Sequence, residues 1–171
     1  MFKVGLFVGK FLPPHMGHLW AINEAAKQCE KLFVLVCDNP QTVVPFCKDA
    51  GWPVITLGQR LGWVREQLAP LTNVVVLGMD ESGIEMQPFE WEAWANRVRL
   101  VIGEQADAIF GSELNYKEGY EKHFPESRYV LQDPERKNVS IHGVQIRKDL
   151  ERKLSYVIPV AREYFKEFVR R

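Results

Sequence analysis

The sequence predicts an α/β fold: a doubly wound parallel sheet of about five strands with a helical C-terminal end. Three observations predict it. Short runs of Val, Leu, Ile and Phe recur along the chain and read as strands buried on both faces. Longer amphipathic stretches with apolar residues at helical spacing separate them. The length, 171 residues, suits one domain, and 46% hydrophobic with 26% charged residues is an ordinary globular composition. Such a chain buries roughly 70% of the surface its unfolded form exposes, so it needs no disulfide or metal to fold.

The elements follow in order. Lys3–Val8 is a buried strand, and Gly9 to Gly17 is a loop with two prolines. Leu19–Glu30 is a helix, with Leu19, Ile22, Ala25, Ala26 and Cys29 on its apolar face. Lys31–Cys37 is the second strand. A long loop, Asp38 to Ile55, follows and is punctuated by Pro40, Pro45, Gly51 and Pro53. Thr56 caps the next helix, since Gln59 three residues on completes a capping box, and that helix runs to about Leu71 with Leu61, Val64 and Leu68 inward. Val74–Leu77 is the third strand. Pro88 opens a helix bearing Trp91, Trp94, Val98, Val101 and Ile102 on one side. Ala108–Gly111 and Tyr129–Leu131 are the last strands, separated by a helix at about 116–123. From Gly143 onward the chain is helical again, broken at Pro159. The alternation gives a Rossmann-like sheet in one domain, 1–171, with a small helical part at about 143–171. No repeat, low-complexity segment or linker interrupts it.

Charge is balanced, 22 basic against 22 acidic residues. That argues against a nucleic-acid-coating surface, and Arg170-Arg171 is only a tail. The longest clean apolar run, Leu32 to Cys37, is too short to span a bilayer, and the N-terminus lacks a cleavage site, so no membrane segment or signal peptide is expected. The three cysteines have no zinc spacing. Cys29 and Cys37 are expected to pack as small apolar residues in a reducing, cytoplasmic compartment.

Ligands of open parallel sheets bind beyond the carboxyl ends of the strands. The first strand ends in Gly9-Lys10-Phe11-Leu12-Pro13-Pro14-His15-Met16-Gly17-His18 and then enters a helix. Gly9 allows a sharp exit from the strand, Lys10 is a mobile charge suited to phosphate oxygens, and the prolines stiffen the loop. Cationic imidazoles at His15 and His18, with the helix amides, would hold a polyphosphate whose charge grows during reaction. Two histidines at this spacing also occur as a surface pair or half a metal site. A metal centre is not expected, because His123 and His142 form no ligand-spaced cluster with them. A Walker A loop fails by one residue and by Phe11 where Ser or Thr is required.

The stretch Gly-Lys-Phe-x-Pro-x-His-x-Gly-His resembles the HxGH nucleotidyltransferase superfamily, and within it the NadR-type and archaeal nicotinamide mononucleotide adenylyltransferases. The resemblance implies that Gly9, Lys10, His15 and His18 bind ATP, with Lys10 and both histidines acting catalytically on its phosphates. Thr56-Leu57-Gly58-Gln59-Arg60 is similar to the family's helix start, where an arginine binds the mononucleotide phosphate; by itself Arg60 reads as a solvated helix face. Trp91, Trp94 and Asn96 are similar to the Trp-x-x-Trp-x-Asn stretch, in which a tryptophan stacks on the nicotinamide ring. A cationic pyridinium favours such an aromatic face, although both tryptophans share a helical face and could be core. Trp94 is expected to serve the ligand and Trp91 to pack. Phe7 and Arg136 complete the expected substrate-contacting set. Ser140, His142, Gly143 and Arg147 resemble the second motif, which clamps ATP phosphates. His142 stands where the family has Ser and Val144 where many members have Thr; a protonated His142 could replace a lost contact. Gly111-Ser112-Glu113 lies where adenosine is contacted.

The reaction this implies joins nicotinamide mononucleotide to ATP, giving NAD and pyrophosphate. Mg²⁺ is expected to travel with the ATP rather than in a protein cage. Another adenylyl or cytidylyl transferase of the superfamily, or a nucleotide sensor without turnover, are the alternatives. A homo-oligomer is possible. No regulatory or kinase domain is expected beside this one, and so no phosphorylation of nicotinamide riboside.

Overall fold

The computed structural model describes residues 1–169; Arg170 and Arg171 lie outside them. Five strands, β1 (Phe2–Gly9), β2 (Cys29–Asp38), β3 (Val74–Asp80), β4 (Ala108–Gly111) and β5 (Arg128–Leu131), form one sheet in the order β3-β2-β1-β4-β5. Every pairing is parallel. The predicted α/β class therefore holds, with helices at the C-terminus.

Alternate residues of the inner strands face opposite layers, because strand side chains alternate. Leu6, Phe33, Leu35, Cys37, Met79 and Ile109 pack into one apolar cluster with α4 (Trp91–Ile102) and Tyr120 of α5 (Lys117–His123). Phe7, Val34, Val36, Ala108 and Phe110 pack into another with α1 (Met16–Ala26) and α3 (Leu57–Leu68). A third cluster joins α2 (Pro40–Asp49) to the C-terminal helices α6 (Gly143–Lys148), α7 (Leu150–Lys153) and α8 (Pro159–Val169). Cys29 and Cys37 are free and buried among apolar neighbours, as expected. No helix of the described residues is long and apolar enough to cross a membrane.

Three elements differ from expectation. The first helix begins at Met16 and stops at Ala26, so Cys29 and Glu30 belong to β2. Phe2 takes Cys29 as its partner, and its N–H donates to the Gln28 carbonyl at 2.8 Å, which extends the sheet at the helix's expense. The expected loop 38–55 contains α2. Asn39 caps it, its side chain accepting the Gln41 N–H at 2.9 Å, and Pro40 sits in the first turn, where a missing N–H costs nothing. Pro45 lies inside that helix, and buried Val43 and Cys47 hold it against the third cluster. The fourth helix starts at Trp91 rather than at Pro88, which stays in the preceding turn. Thr56 and Gln59 form the capping box the sequence predicts.

Candidate active site

The strand order fixes where a ligand can enter. Chain connections diverge on either side of β1, opening a crevice at the carboxyl ends of β1 and β4. Phe7 and Val8 from β1 and Phe110 and Gly111 from β4 line it, in a cavity of about 330 Å³. In the turn that follows β1, Phe11 has a left-handed φ of 51°, a region side chains rarely adopt. Its ring is buried against Phe7 and His18, which holds the turn in that shape.

The turn ends in an imidazole cap. His18 N–H donates to His15 Nδ1 at 3.4 Å, and His15 N–H donates to His18 Nδ1 at 3.3 Å. This is a capping box built from two histidines, starting α1. The rings stack with centroids 3.6 Å apart. Gly17 permits the stack: a Cβ there would lie 3.0 Å from His15 Nδ1. With each Nδ1 accepting, a neutral ring carries its proton on Nε2 and has one N–H left to donate. Both histidines line the crevice.

Both are held neutral in the free protein, which corrects the expectation of cationic imidazoles. Burial, then the charge of Arg136, lowers His18 to about 3. Burial, then His18, lowers His15 well below its ordinary value. The unfolded chain titrates these groups near 6.5 and so binds more protons than the folded one as pH drops. Stability should be full above about pH 6.5 and be lost progressively toward about pH 3. Denaturant midpoints between about pH 8 and about pH 5.5, before ordinary carboxylates titrate, check this; a flat profile would contradict neutral burial.

The facing wall comes from the segment after β5 and from α6. Arg147 Nη1 donates to the Leu12 carbonyl at 2.6 Å, tying α6 to the β1–α1 turn, and its guanidinium lies 4.2 Å from the centre of the Phe46 ring. Arg136 donates to Glu113 Oε1 at 2.6 Å. His142 is exposed, and its desolvation, then the charge of Arg136, lowers its pKa from the ordinary imidazole value, which works against the protonated form that could replace a contact there. Gly143 keeps the wall close: a Cβ would lie 3.1 Å from Arg147 Nη1. Gly143→Ala should displace that guanidinium and lower turnover roughly tenfold with the fold intact, measurable as steady-state rate beside a thermal melt. Unchanged turnover would remove Arg147 from the site.

A second lobe of about 640 Å³ opens beside the first, and Lys10, Phe46, Tyr116 and Tyr120 line both. Gly9, Glu81, Trp91 and Trp94 line only this second lobe. Lys10 Nζ lies 3.4 Å from Glu81 Oε2, and Trp94 Nε1 donates to Glu81 Oε1 at 2.7 Å. Trp94 is buried, whereas Trp91 is half-buried and stacks on His123 at 5.9 Å.

The structure thus brings together Gly9, Lys10, His15, His18, Gly143, Arg147, Trp91 and Trp94 around two joined lobes. Phe7 and Arg136, expected with the tryptophans, line the histidine lobe instead, as do His142 and Gly111-Ser112-Glu113. Three residues lie apart. Ser140 is exposed and lines neither lobe. Asn96 is exposed on the outer side of α4, because two residues beyond buried Trp94 is about 200° around a helix. Arg60 is fully buried beneath the site. It donates to the carbonyls of Lys10 at 2.5 Å and Cys37 at 2.9 Å and pairs with Asp38, which corrects its expected place on a ligand phosphate. Sequence reasoning missed Glu81, Phe46, Tyr116 and Tyr120. Glu81 follows the end of β3, where the strand-end rule could have found it, and Tyr116, just before α5, stands four residues from Tyr120 within it.

Imidazole and guanidinium groups gathered at the switch point of a parallel sheet define an α/β protein of nucleotidyltransferase-like build. The chain belongs to the cytidylyltransferase-like family, whose model matches residues 6–149. It is 30% identical over 166 residues to the trifunctional NAD biosynthesis/regulator protein NadR of Escherichia coli (strain K12), covering 95% of this chain and 40% of that protein. It is 27% identical over 139 residues to a nicotinamide-nucleotide adenylyltransferase of Pyrobaculum arsenaticum, covering 73% and 70% of the two chains. A crystal structure of NadR in complex with NAD and AMP-PNP superposes with a TM-score of 0.70 at 23% identity, over 94% of this chain and 46% of that one, a likeness of fold. The chain therefore spans about two fifths of the length of the NadR protein it matches.

Proposed function

We propose that the protein transfers the adenylyl group of ATP to nicotinamide mononucleotide, yielding NAD and pyrophosphate. One observation carries the reading: a histidine lobe suited to phosphates and an aromatic lobe suited to a pyridine ring meet at a single lysine, Lys10. The names of its relatives point the same way. In this reading the triphosphate lies against the Nε2–H groups of His15 and His18 and the cations of Arg136 and Arg147. The mononucleotide ring lies against Trp91 and Trp94.

The mononucleotide phosphate oxygen attacks the α-phosphorus of ATP. A new P–O bond forms, the bond from the α-phosphorus to the bridging oxygen breaks, and pyrophosphate leaves with that electron pair. The attacking oxygen is already anionic, so the site needs no general base. Its work is in-line positioning and stabilisation of charge on the leaving group. Neutral Nε2–H donors suit that work, since they strengthen as the phosphate oxygens gain charge and cost no deprotonation. The donor set of N–H groups and cations fits phosphate oxygens, so magnesium would be carried on the triphosphate and water and supply further charge neutralisation there.

A pyrophosphate-release assay with ATP and a panel of acceptors tests the reading. NAD and pyrophosphate should form in equal amounts with the mononucleotide and not with pantetheine phosphate. Nucleotide binding without pyrophosphate release from ATP in the presence of any mononucleotide would overturn it.

A further inference from the structure

We propose that Glu81 is a specificity-determining residue: its buried carboxylate selects a ring that carries positive charge and bears no carboxylate of its own. This rests on the adenylyl-transfer reading and adds to it the group that tells one pyridine nucleotide from another.

The placement of Glu81 is rigid. Its N–H donates to the Asp38 carbonyl at 2.8 Å, and its own carbonyl accepts from Asn39 Nδ2 at 3.2 Å. The side chain is 3% exposed, and Trp94 Nε1 fixes one oxygen at 2.7 Å. Lys10 is the only cation lining the aromatic lobe and Glu81 the only anion, among the described residues. The two stand 3.4 Å apart.

Lys10 also lines the histidine lobe. A phosphate arriving there competes with Glu81 for the ammonium. A buried carboxylate whose counter-ion is shared away is left with uncompensated charge, which is costly. A pyridinium ring stacked in the aromatic lobe restores the balance from the other side, and the aromatic faces favour the same cation. A carboxamide on the ring is neutral and can donate N–H groups. A ring carboxylate would add a second anion to a lobe whose one cation is already divided, so it is repelled.

The test compares kcat and KM for the amide and acid mononucleotides in the wild type and in Glu81→Gln, which keeps the shape and an acceptor for Trp94. The wild type should favour the amide by about tenfold or more in kcat/KM, chiefly through KM. Glu81→Gln should shrink that preference about tenfold, raising KM for the amide and lowering it for the acid. A parallel loss with both substrates, leaving their ratio unchanged, would mark Glu81 as merely structural and overturn the proposal while adenylyl transfer stands. A wild type that uses both equally would overturn it likewise. A wild type that uses neither overturns the adenylyl-transfer reading and this one with it. A second measurement needs no variant: the reduced, dihydropyridine mononucleotide keeps amide and phosphate but lacks the ring charge. Titrated into the wild type by tryptophan fluorescence, it should bind about tenfold more weakly than the pyridinium form; equal affinity would overturn the proposal.

Discussion

His18→Ala should lower adenylyl transfer by about 10²–10³-fold, the common cost of losing one preorganised donor at a site of growing negative charge. The substitution removes two things at once. It deletes the Nε2–H expected to face the phosphates, and it deletes Nδ1, which accepts the His15 N–H at 3.3 Å. The second loss loosens the start of α1 by about 1 kcal/mol. His18→Asn separates the two effects. Its side-chain oxygen can take the place of Nδ1 in the cap, while nothing reaches where Nε2 stood. The asparagine variant should therefore recover most of the stability and little of the rate. Rates from pyrophosphate release, set against denaturant midpoints of both variants, check this. If the asparagine variant turned over near the wild-type rate, the histidine would be a helix cap alone.

Arg60→Met should destabilise the protein by about 3–5 kcal/mol. Arg60 is fully buried and is one of the few charged side chains in the interior. Its guanidinium satisfies the carbonyls of Lys10 and Cys37 and pairs with Asp38, fastening the exits of β1 and β2 to α3. Methionine fills similar space and leaves two carbonyls and a carboxylate without that partner. Arg60→Lys should restore only part of the loss, because an ammonium cannot span the same fork of acceptors. Urea unfolding at neutral pH measures both. A loss below about 1 kcal/mol for the methionine variant would show that water or relaxation satisfies those groups instead.

Much of this architecture is legible in the amino-acid order, for physical reasons that also mark where legibility stops. Strands such as Leu32–Cys37 are buried on both faces and leave an unbroken apolar run. The helix at Thr56 announces itself because its capping box is written in adjacent residues. The helix at 40–49 is hidden because Pro40 and Pro45 read as breakers, and only tertiary packing at Val43 and Cys47 makes the interior proline tolerable. The residue types of the Gly9–His18 turn mark it as a candidate phosphate site. The charge state of its histidines is not legible, because burial depends on the whole fold. Arg60 shows the same limit. It shares the inward face with Val64 and Leu68 at four-residue steps, a spacing present in the sequence, yet an arginine at that position reads as solvated until its buried partners are seen. Glu81 depends on contacts across the fold with Lys10 and Trp94.

The paired imidazoles at the head of α1 answer to two requirements with one set of atoms. Their Nδ1 atoms serve folding, and in the proposed reaction their Nε2–H groups serve chemistry. A descendant that had abandoned turnover would still be penalised for losing either ring, so the motif would persist through a loss of activity. Its presence in a related chain therefore attests to an intact helix start before it attests to catalysis, and a lineage that had kept the histidines but lost Lys10 or Arg147 is the form a silent, ligand-sensing relative would take.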